Sequence, residues 1–143
     1  MKKICIVASK YYEDIINMLI DGANDVLKNH KKKIKTKIIY VPGVFEIPFT
    51  ISKYSKKFDG FIALGCVIKG QTPHFDLICK ATFNAIMSLT ITFNKPIGNG
   101  IITALNSKQA YERCGIKKSN KQNKGLEAAK AVLSILKNGP KKF

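Results

Sequence analysis

Residues 59–73 read DGFIALGCVIKGQTP, which combines a turn, a continuous apolar run and the start of a helix. The apolar run over 61–68 lacks the alternation of a half-exposed strand, and such runs are typical of central parallel strands covered on both faces. Thr72 and Pro73 then predict an N-cap and the first position of a helix. A strand followed directly by a helix is the repeating unit of α/β folds.

The same alternation extends along the whole chain. Strands are predicted at 3–8, 35–41, 61–68 and 100–103. Helices are predicted at 11–29, 44–57, 72–93, 106–114 and 125–137. Because parallel strands need crossover connections, we expect a four-stranded parallel sheet with helices on both faces, a three-layer α/β/α sandwich. Ligands of such sheets bind at the carboxyl ends of the strands.

The composition is that of one ordinary globular domain. The chain has 143 residues, of which 45% are hydrophobic and 24% are charged, so we expect a single domain over 1–143. No apolar run approaches the ~20 residues of a membrane span. Residues 1–9 are basic and then briefly apolar without a cleavage site, and we interpret them as the first strand. A cytoplasmic protein without a membrane partner is expected.

No metal site or nucleotide cofactor is indicated by the sequence. The cysteines, at positions 5, 66, 79 and 114, form no C-x-x-C pair and have no histidine at ligand spacing. Neither of the glycine-rich loops that bind nucleotide phosphates is present. We therefore expect no disulfide framework, no metal and no cofactor.

The net charge is strongly positive. There are 25 basic and 9 acidic residues, which gives a formal net charge of +16, and Arg113 is the only arginine. The lysine-rich stretches are 28–37, 53–57, 117–124 and 137–142. Nucleic-acid footprints cluster on one face and favour arginine, so the spread of these stretches favours a solvated surface. No nucleic-acid partner is expected on this criterion.

The loop and helix start after the third strand predict an anion site. Gly70 permits a close approach of the backbone, and the first N–H groups of the helix that begins at Thr72 have no partner within the helix. His74 lies in the first turn of this helix, and histidine is the side chain that exchanges a proton near neutral pH. We interpret His74 as catalytic, with a cap or surface residue as the alternative.

Other segments could contribute to the same site. Tyr11 and Tyr12 follow the first strand, and one of these aromatic side chains could stack on a planar ring or pack on the surface. Phe45 and Glu46 follow the second strand, although Phe45 could belong to the core and Glu46 could stabilise a helix start. Arg113 could bind an oxyanion or be an ordinary helix-end charge. Asn99 precedes the fourth strand, at the opposite edge of the sheet, so it could join this site only from another subunit.

Five segments, in this order, resemble the lumazine synthase family. They are VPGVFEIP at 41–48, LGCVIKGQTPHFD at 64–76, PIGNGIIT at 96–103, ERCG at 112–115 and NKGLEAA at 123–129. The resemblance covers nearly the whole chain and implies a flavodoxin-like sheet. It also implies a cofactor-free condensation of 5-amino-6-(D-ribitylamino)uracil with 3,4-dihydroxy-2-butanone 4-phosphate to dimethylribityllumazine, phosphate and water.

The resemblance further implies roles for particular residues. Tyr11 would stack on the pyrimidine. The ring and the ribityl chain would bind to Val44, Phe45, Glu46, Cys66, Val67 and Ile68. The butanone phosphate would bind to Gln71, Thr72 and Arg113, with positive charge added by Lys124. His74 would transfer protons during the reaction.

Family sites lie between neighbouring subunits, so the resemblance implies that Asn99 and Arg113 come from a neighbour. Asn99 stands where many members have an aromatic residue, so this chain would lack one stacking wall. The connection from Gly115 to Lys124 is longer than the loop associated with the icosahedral form. We therefore expect a pentamer or a pair of pentamers.

Two other functions stay open at this point. The first is a member of the same family that binds a riboflavin-type ligand, or forms a shell, without turnover. The presence of His74, Thr72 and Arg113 argues against it. The second is a basic nucleic-acid-binding module, whose affinity would fall steeply with salt.

Overall fold

A four-stranded parallel sheet forms the centre of the fold. The computed structural model describes residues 1–115 and 122–138. The strands are β1 (Lys2–Ser9), β2 (Ile34–Val41), β3 (Gly60–Ile68) and β4 (Ile97–Ala104). They pair in parallel, in the order β2-β1-β3-β4. The predicted α/β class and the four-stranded parallel sheet are confirmed.

Helices pack on both faces of this sheet. Those of the described residues are α1 (Glu13–Leu27), α2 (Ile47–Tyr54), α3 (His74–Phe93), α4 (Ser107–Arg113) and α5 (Lys124–Asn138). Ile4 and Ile6 of β1 belong to the core formed with α1, α4 and α5, whereas Cys5 and Val7 belong to the core formed with α2 and α3. Successive residues of a strand point to opposite faces, so the sheet is the middle layer of an α/β/α sandwich.

Three of the predicted helix starts are wrong. The helix expected over 44–57 is divided into a 3₁₀ turn (Val44–Glu46) and α2, because Pro48 is tolerated only in the first turn of an α-helix. The cap expected at Thr72 lies at Pro73, whose ψ of 3° is outside the helical range, and α3 begins at His74. The first helix begins at Glu13 because Tyr12 before it is left-handed, with φ of 61°.

The fourth strand begins at Ile97, earlier than predicted. A Cβ at Gly98 would clash with the carbonyl oxygen of Ala128 in α5, so helix packing explains a glycine that interrupts the apolar pattern. Asn99 therefore lies within β4, not in the loop before it, and its register partner is Ala63 in β3. It is distant from the carboxyl ends of the strands in its own subunit.

Local chemistry sets the ends of the last two helices. The Gln109 N–H donates to Asn106 Oδ1 at 2.9 Å, as predicted, and Gly115 follows α4 with φ of 77°. The Leu126 N–H donates to Asn123 Oδ1 at 3.0 Å, which is a cap that the sequence analysis missed. Much of the long connection after Gly115, and part of the last lysine-rich stretch, lie outside the described residues. No helix of 1–115 or 122–138 is long and apolar enough to cross a membrane.

Candidate active site

A cavity of about 620 Å³ lies at the carboxyl ends of β1, β2 and β3. Its walls are the turn after β1, the 3₁₀ turn after β2, and the end of β3 with the start of α3. The lining residues are Tyr11, Tyr12, Gly43, Val44, Phe45, Glu46, Cys66, Val67, Ile68, Gly70, Thr72, His74, Phe75 and Ile78. The volume lies within the range of small-molecule sites.

Two exposed aromatic rings line this cavity. Tyr11 is 66% exposed and Phe45 is 64% exposed, so both rings offer apolar surface to a ligand. Tyr12 contacts the ring of Tyr11 edge to face, with the centroids 4.8 Å apart and the planes at 84°. Aromatic side chains with open faces stack well on planar heterocycles, so this part of the cavity can bind a planar ring.

The end of β3 contributes apolar surface. Cys66 is buried, and Val67 and Ile68 are half-buried. Burial raises the pKa of the Cys66 thiol to about 12, with smaller contributions from Cys114 and Asp14. The thiol is therefore protonated at neutral pH. Because the thiolate is the nucleophilic form of cysteine, Cys66 contributes apolar surface to the cavity and is not a reacting group.

Polar groups converge at the start of α3. His74 is the first residue of this helix and is exposed, and Thr72 and Gly70 line the cavity beside it. No side chain caps the helix at Pro73, so the first N–H groups and the positive end of the helix dipole are available to an anion. Glu46 adds a carboxylate to the same cavity. The arrangement offers a proton-transfer group next to an anion-attracting helix end.

The cavity brings together most of the predicted site residues of this chain. Those that line it are Tyr11, Val44, Phe45, Glu46, Cys66, Val67, Ile68, Thr72 and His74. Gln71 is exposed between two lining residues, Gly70 and Thr72, without lining the cavity itself.

Three predicted site residues lie elsewhere in the subunit. Arg113, at the end of α4, donates from Nη1 to the carbonyl oxygen of Gln109 at 3.0 Å. Lys124 Nζ is 4.0 Å from Glu127 Oε2 in α5. Asn99 Oδ1 accepts from the backbone N–H of Ile101 at 3.1 Å. None of the three lines the cavity of its own subunit.

The helix that carries Arg113 is attached to α1 by a short hydrogen bond. The Tyr111 O–H donates to Asp14 Oδ2 at 2.6 Å. This bond raises the pKa of Tyr111, because the phenol must keep its proton to donate it. It links the last turn of α4 to the first turn of α1, next to the turn that carries Tyr11 and Tyr12.

Three further lining residues, Gly43, Phe75 and Ile78, were not predicted. Phe75 and Ile78 are three residues apart on α3, which puts them on the same side of the helix; this spacing was an available signal. Tyr12 lines the cavity together with Tyr11, and its left-handed backbone is unusual for an aromatic residue.

A parallel α/β sheet with an aromatic cavity and a histidine at its carboxyl edge has the architecture of a small-molecule enzyme. The family model described as 6,7-dimethyl-8-ribityllumazine synthase matches residues 1–138. Proteins named 6,7-dimethyl-8-ribityllumazine synthase from Desulfovibrio desulfuricans, Nitratidesulfovibrio vulgaris and Campylobacter lari are 38%, 40% and 39% identical over alignments of 138 residues. Each alignment covers 94% of this chain and 86% of the relative. The chain belongs to this family and is a lumazine synthase enzyme of riboflavin biosynthesis.

Proposed function

We propose that the cavity condenses 5-amino-6-(D-ribitylamino)uracil with 3,4-dihydroxy-2-butanone 4-phosphate, giving 6,7-dimethyl-8-ribityllumazine, phosphate and water. The observation that carries the proposal is the convergence of Tyr11, Phe45 and His74, from three different strand ends, on one cavity. Because the reaction joins two molecules, a site that holds both in contact supplies a large part of the rate by positioning. The proposed reaction uses no cofactor.

The pyrimidine ring stacks on Tyr11 in this proposal. The exposure of Tyr11 supports this role, since its ring contacts little besides Tyr12 and is available to a planar ligand. The rest of the ring and the ribityl chain bind to Val44, Phe45, Glu46, Cys66, Val67 and Ile68. Glu46 is the member of this set whose carboxylate can accept hydrogen bonds from ribityl hydroxyls.

The phosphate of the second substrate binds at the start of α3, through Gln71 and Thr72. Support comes from the free N–H groups and dipole of a 20-residue helix without a side-chain cap. Arg113 adds positive charge from a neighbouring subunit, and Lys124 adds further positive charge near the phosphate. A guanidinium binds phosphate through two parallel hydrogen bonds. Arg113, the only arginine of the chain, is therefore assigned to phosphate binding.

His74 accepts and returns protons during the reaction. The pyrimidine amine attacks the ketone carbonyl, and loss of water forms a Schiff base. Removal of a proton from the hydroxyl-bearing carbon next to the imine then expels phosphate and leaves an enol, which takes up a proton and becomes a methyl ketone. The ribitylamino nitrogen adds to this ketone, and a second water leaves as the ring closes. Each step moves a proton, and a histidine next to the phosphate site can serve all of them near neutral pH.

The active form in this proposal is a pentamer or decamer with sites between subunits. The exposed apolar face of α3 supports an interface: Leu77 is 66% exposed, Met87 62% and Ile91 73%. In the described part of the chain, α3 buries only Thr82 and Ile86 completely. Exposed apolar surface of this kind is typical of protein contacts. A neighbour on this face would bring Asn99 and Arg113 to the cavity.

The test is to mix the purified protein with both substrates and follow lumazine absorbance above the spontaneous rate. We expect His74→Ala to lower turnover about 10²-fold or more with a small change in KM, because proton transfer and not binding is removed. His30→Ala is the matched control. His30 is the other histidine of the chain and lies after α1, outside the cavity.

The possible outcomes separate the reaction from the residue roles. Formation of lumazine at the background rate by the unaltered protein would overturn the proposed reaction. Rapid formation with equal turnover by His74→Ala would leave the reaction in place and remove the role of His74. A similar loss in His30→Ala would indicate general damage to the fold instead of a proton-transfer role.

A further inference from the structure

Eight exposed lysines gather at the amino-terminal edge of the sheet, opposite the cavity. They line two adjoining depressions of about 600 and 370 Å³. These lysines, which we call the basic face, are Lys2, Lys3, Lys32, Lys33, Lys35, Lys37, Lys56 and Lys57. They come from the start of β1, from β2 and the residues before it, and from the segment after α2. Stretches that are separate in the sequence therefore form one surface.

The geometry of β2 and α2 explains the groove within this face. Lys3 is the register partner of Lys35, and Lys37 lies two residues further on the same side of β2. This side of the sheet carries α2, but α2 has only eight residues and ends at Tyr54. The edge beyond it is left uncovered, and the segment with Lys56 and Lys57 forms the other wall of the groove.

The charge of the basic face is almost unopposed. Among the residues that the structure describes, Asp59 is the only carboxylate that lines either depression, and its Oδ2 accepts from the Lys3 backbone N–H at 2.7 Å. Among residues 1–115 and 122–138, salt bridges join only Lys28 to Asp25 and Lys124 to Glu127. Eight lysines against one carboxylate produce a strong local positive potential.

Several acidic residues lie at the other edge of the sheet. Glu13 and Asp14 lie in the first turn of α1, Asp76 in that of α3 and Glu127 in that of α5. Helices that follow parallel strands begin at the carboxyl edge, where carboxylates are stabilised by the helix dipoles. These four carboxylates are therefore placed away from the eight lysines of the basic face.

We propose that the basic face binds the phosphodiester backbone of a nucleic acid, without sequence preference. Lysines distributed over two adjoining depressions match a chain of repeated anions better than one compact anion. The basic face has no arginine, the residue whose planar guanidinium recognises base edges. Lysine contacts phosphates as a point charge, which is independent of the base sequence. An acidic protein is a poorer match, because lysine is depleted at protein interface cores. Phe58 adds an aromatic wall to the groove.

The test is fluorescence anisotropy with a labelled 20-nucleotide poly-U RNA, repeated with a DNA duplex. We expect a dissociation constant of about 10⁻⁶–10⁻⁴ M at physiological salt. If six phosphates are neutralised, the affinity should fall between 50 and 200 mM salt by about 300-fold for the single-stranded RNA and about 10³-fold for the duplex. Binding to either nucleic acid supports the proposal, and a comparison of the two dissociation constants shows whether RNA or duplex DNA binds more tightly. Absence of binding to both at physiological salt overturns it.

Charge-matched variants separate the basic face from net charge. One variant combines Lys35→Gln, Lys37→Gln, Lys56→Gln and Lys57→Gln; the control combines Lys69→Gln, Lys108→Gln, Lys130→Gln and Lys137→Gln, which are exposed lysines outside the face. We expect the first to bind RNA at least about tenfold more weakly and the control to change less than about threefold. Equal losses, or equal binding of poly-glutamate, would overturn the proposal. Lumazine formation should be unchanged in the first variant, because the cavity lies at the opposite edge.

Discussion

Tyr12 adopts a backbone conformation that is unusual for tyrosine, with φ of 61° and ψ of 61°. For a residue with a Cβ this conformation costs about 1–2 kcal/mol. It closes the short turn between β1 and α1, in which the ring of Tyr11 is left exposed and both tyrosines line the cavity. Strain of this kind concentrates at binding sites, so it supports a binding role for this turn.

The two buried thiols of Cys5 and Cys66 predict a loss of stability at alkaline pH. Burial raises the pKa of each to about 12, whereas a thiol in the unfolded chain titrates near 8.5. Between about pH 9 and 12 the folded state therefore binds more protons than the unfolded state, so the free energy of unfolding falls by up to about 1.4 kcal/mol per pH unit for each thiol.

Urea denaturation at a series of pH values measures this effect. We expect the free energy of unfolding of a variant with Cys5→Ala and Cys66→Ala to fall less steeply above pH 9 than that of the unaltered protein. Cys79→Ala is the control, since Cys79 is only partly buried and burial raises its pKa less. Parallel pH profiles for all three proteins would show that the two buried thiols are not responsible.

At the scale of elements, α5 packs against α1 at a glycine. A Cβ at Gly125 would clash with the carbonyl oxygen of Leu19, so Gly125→Ala must move one helix. We expect the free energy of unfolding to fall by about 1–3 kcal/mol, which outweighs the gain of at most about 1 kcal/mol in helix propensity. Gly70→Ala is the control, because its Cβ would meet no atom within 4 Å. Urea unfolding curves that shift equally for both variants would contradict this explanation.

The elements that the sequence predicts well are those fixed by local chemistry. The unbroken apolar run of β3 and the pair of Asn106 and Gln109 each carry their signal within a few residues. The start of β4 could not be predicted. A glycine is needed at position 98 because α5 packs directly against the backbone there, and this contact is visible only in the folded structure. Tertiary packing in such cases overrides the local pattern.

The candidate site, like the helices and strands, could be predicted only in part from the sequence. Topology alone puts the residues after β1, β2 and β3 at one edge of the sheet, so the sequence is sufficient to group Tyr11, Phe45 and His74. Which neighbouring side chains also enter the cavity depends on backbone turns and helix orientation. Phe75 and Ile78 were therefore not predicted, although both are close to His74 in the sequence.

For the whole molecule, the apolar face of α3 predicts association through that helix. The unaltered protein should have a mass five or ten times the chain mass of 15.9 kDa, measured by light scattering after gel filtration. Ile91→Lys puts a charge on the most exposed large apolar residue of α3 and should produce smaller species. Ile135→Lys on α5, an isoleucine 59% exposed, should retain the mass of the unaltered protein. Dissociation by Ile135→Lys alone would move the interface to α5.

Sharing of the site between subunits can be tested by mixing two impaired proteins. Arg113 does not line the cavity that contains His74 in the same subunit, so we expect His74→Ala and Arg113→Ala to complement each other when they are refolded together. In a symmetric ring with random mixing, about one quarter of the sites receive both intact residues. With the butanone phosphate well below the KM of Arg113→Ala, where weaker phosphate binding lowers the rate of that variant, turnover should then rise to about one quarter of that of the unaltered protein, well above the mean of the two variants. If both residues acted within one subunit, no mixed ring would contain an intact site, and turnover would stay at that mean.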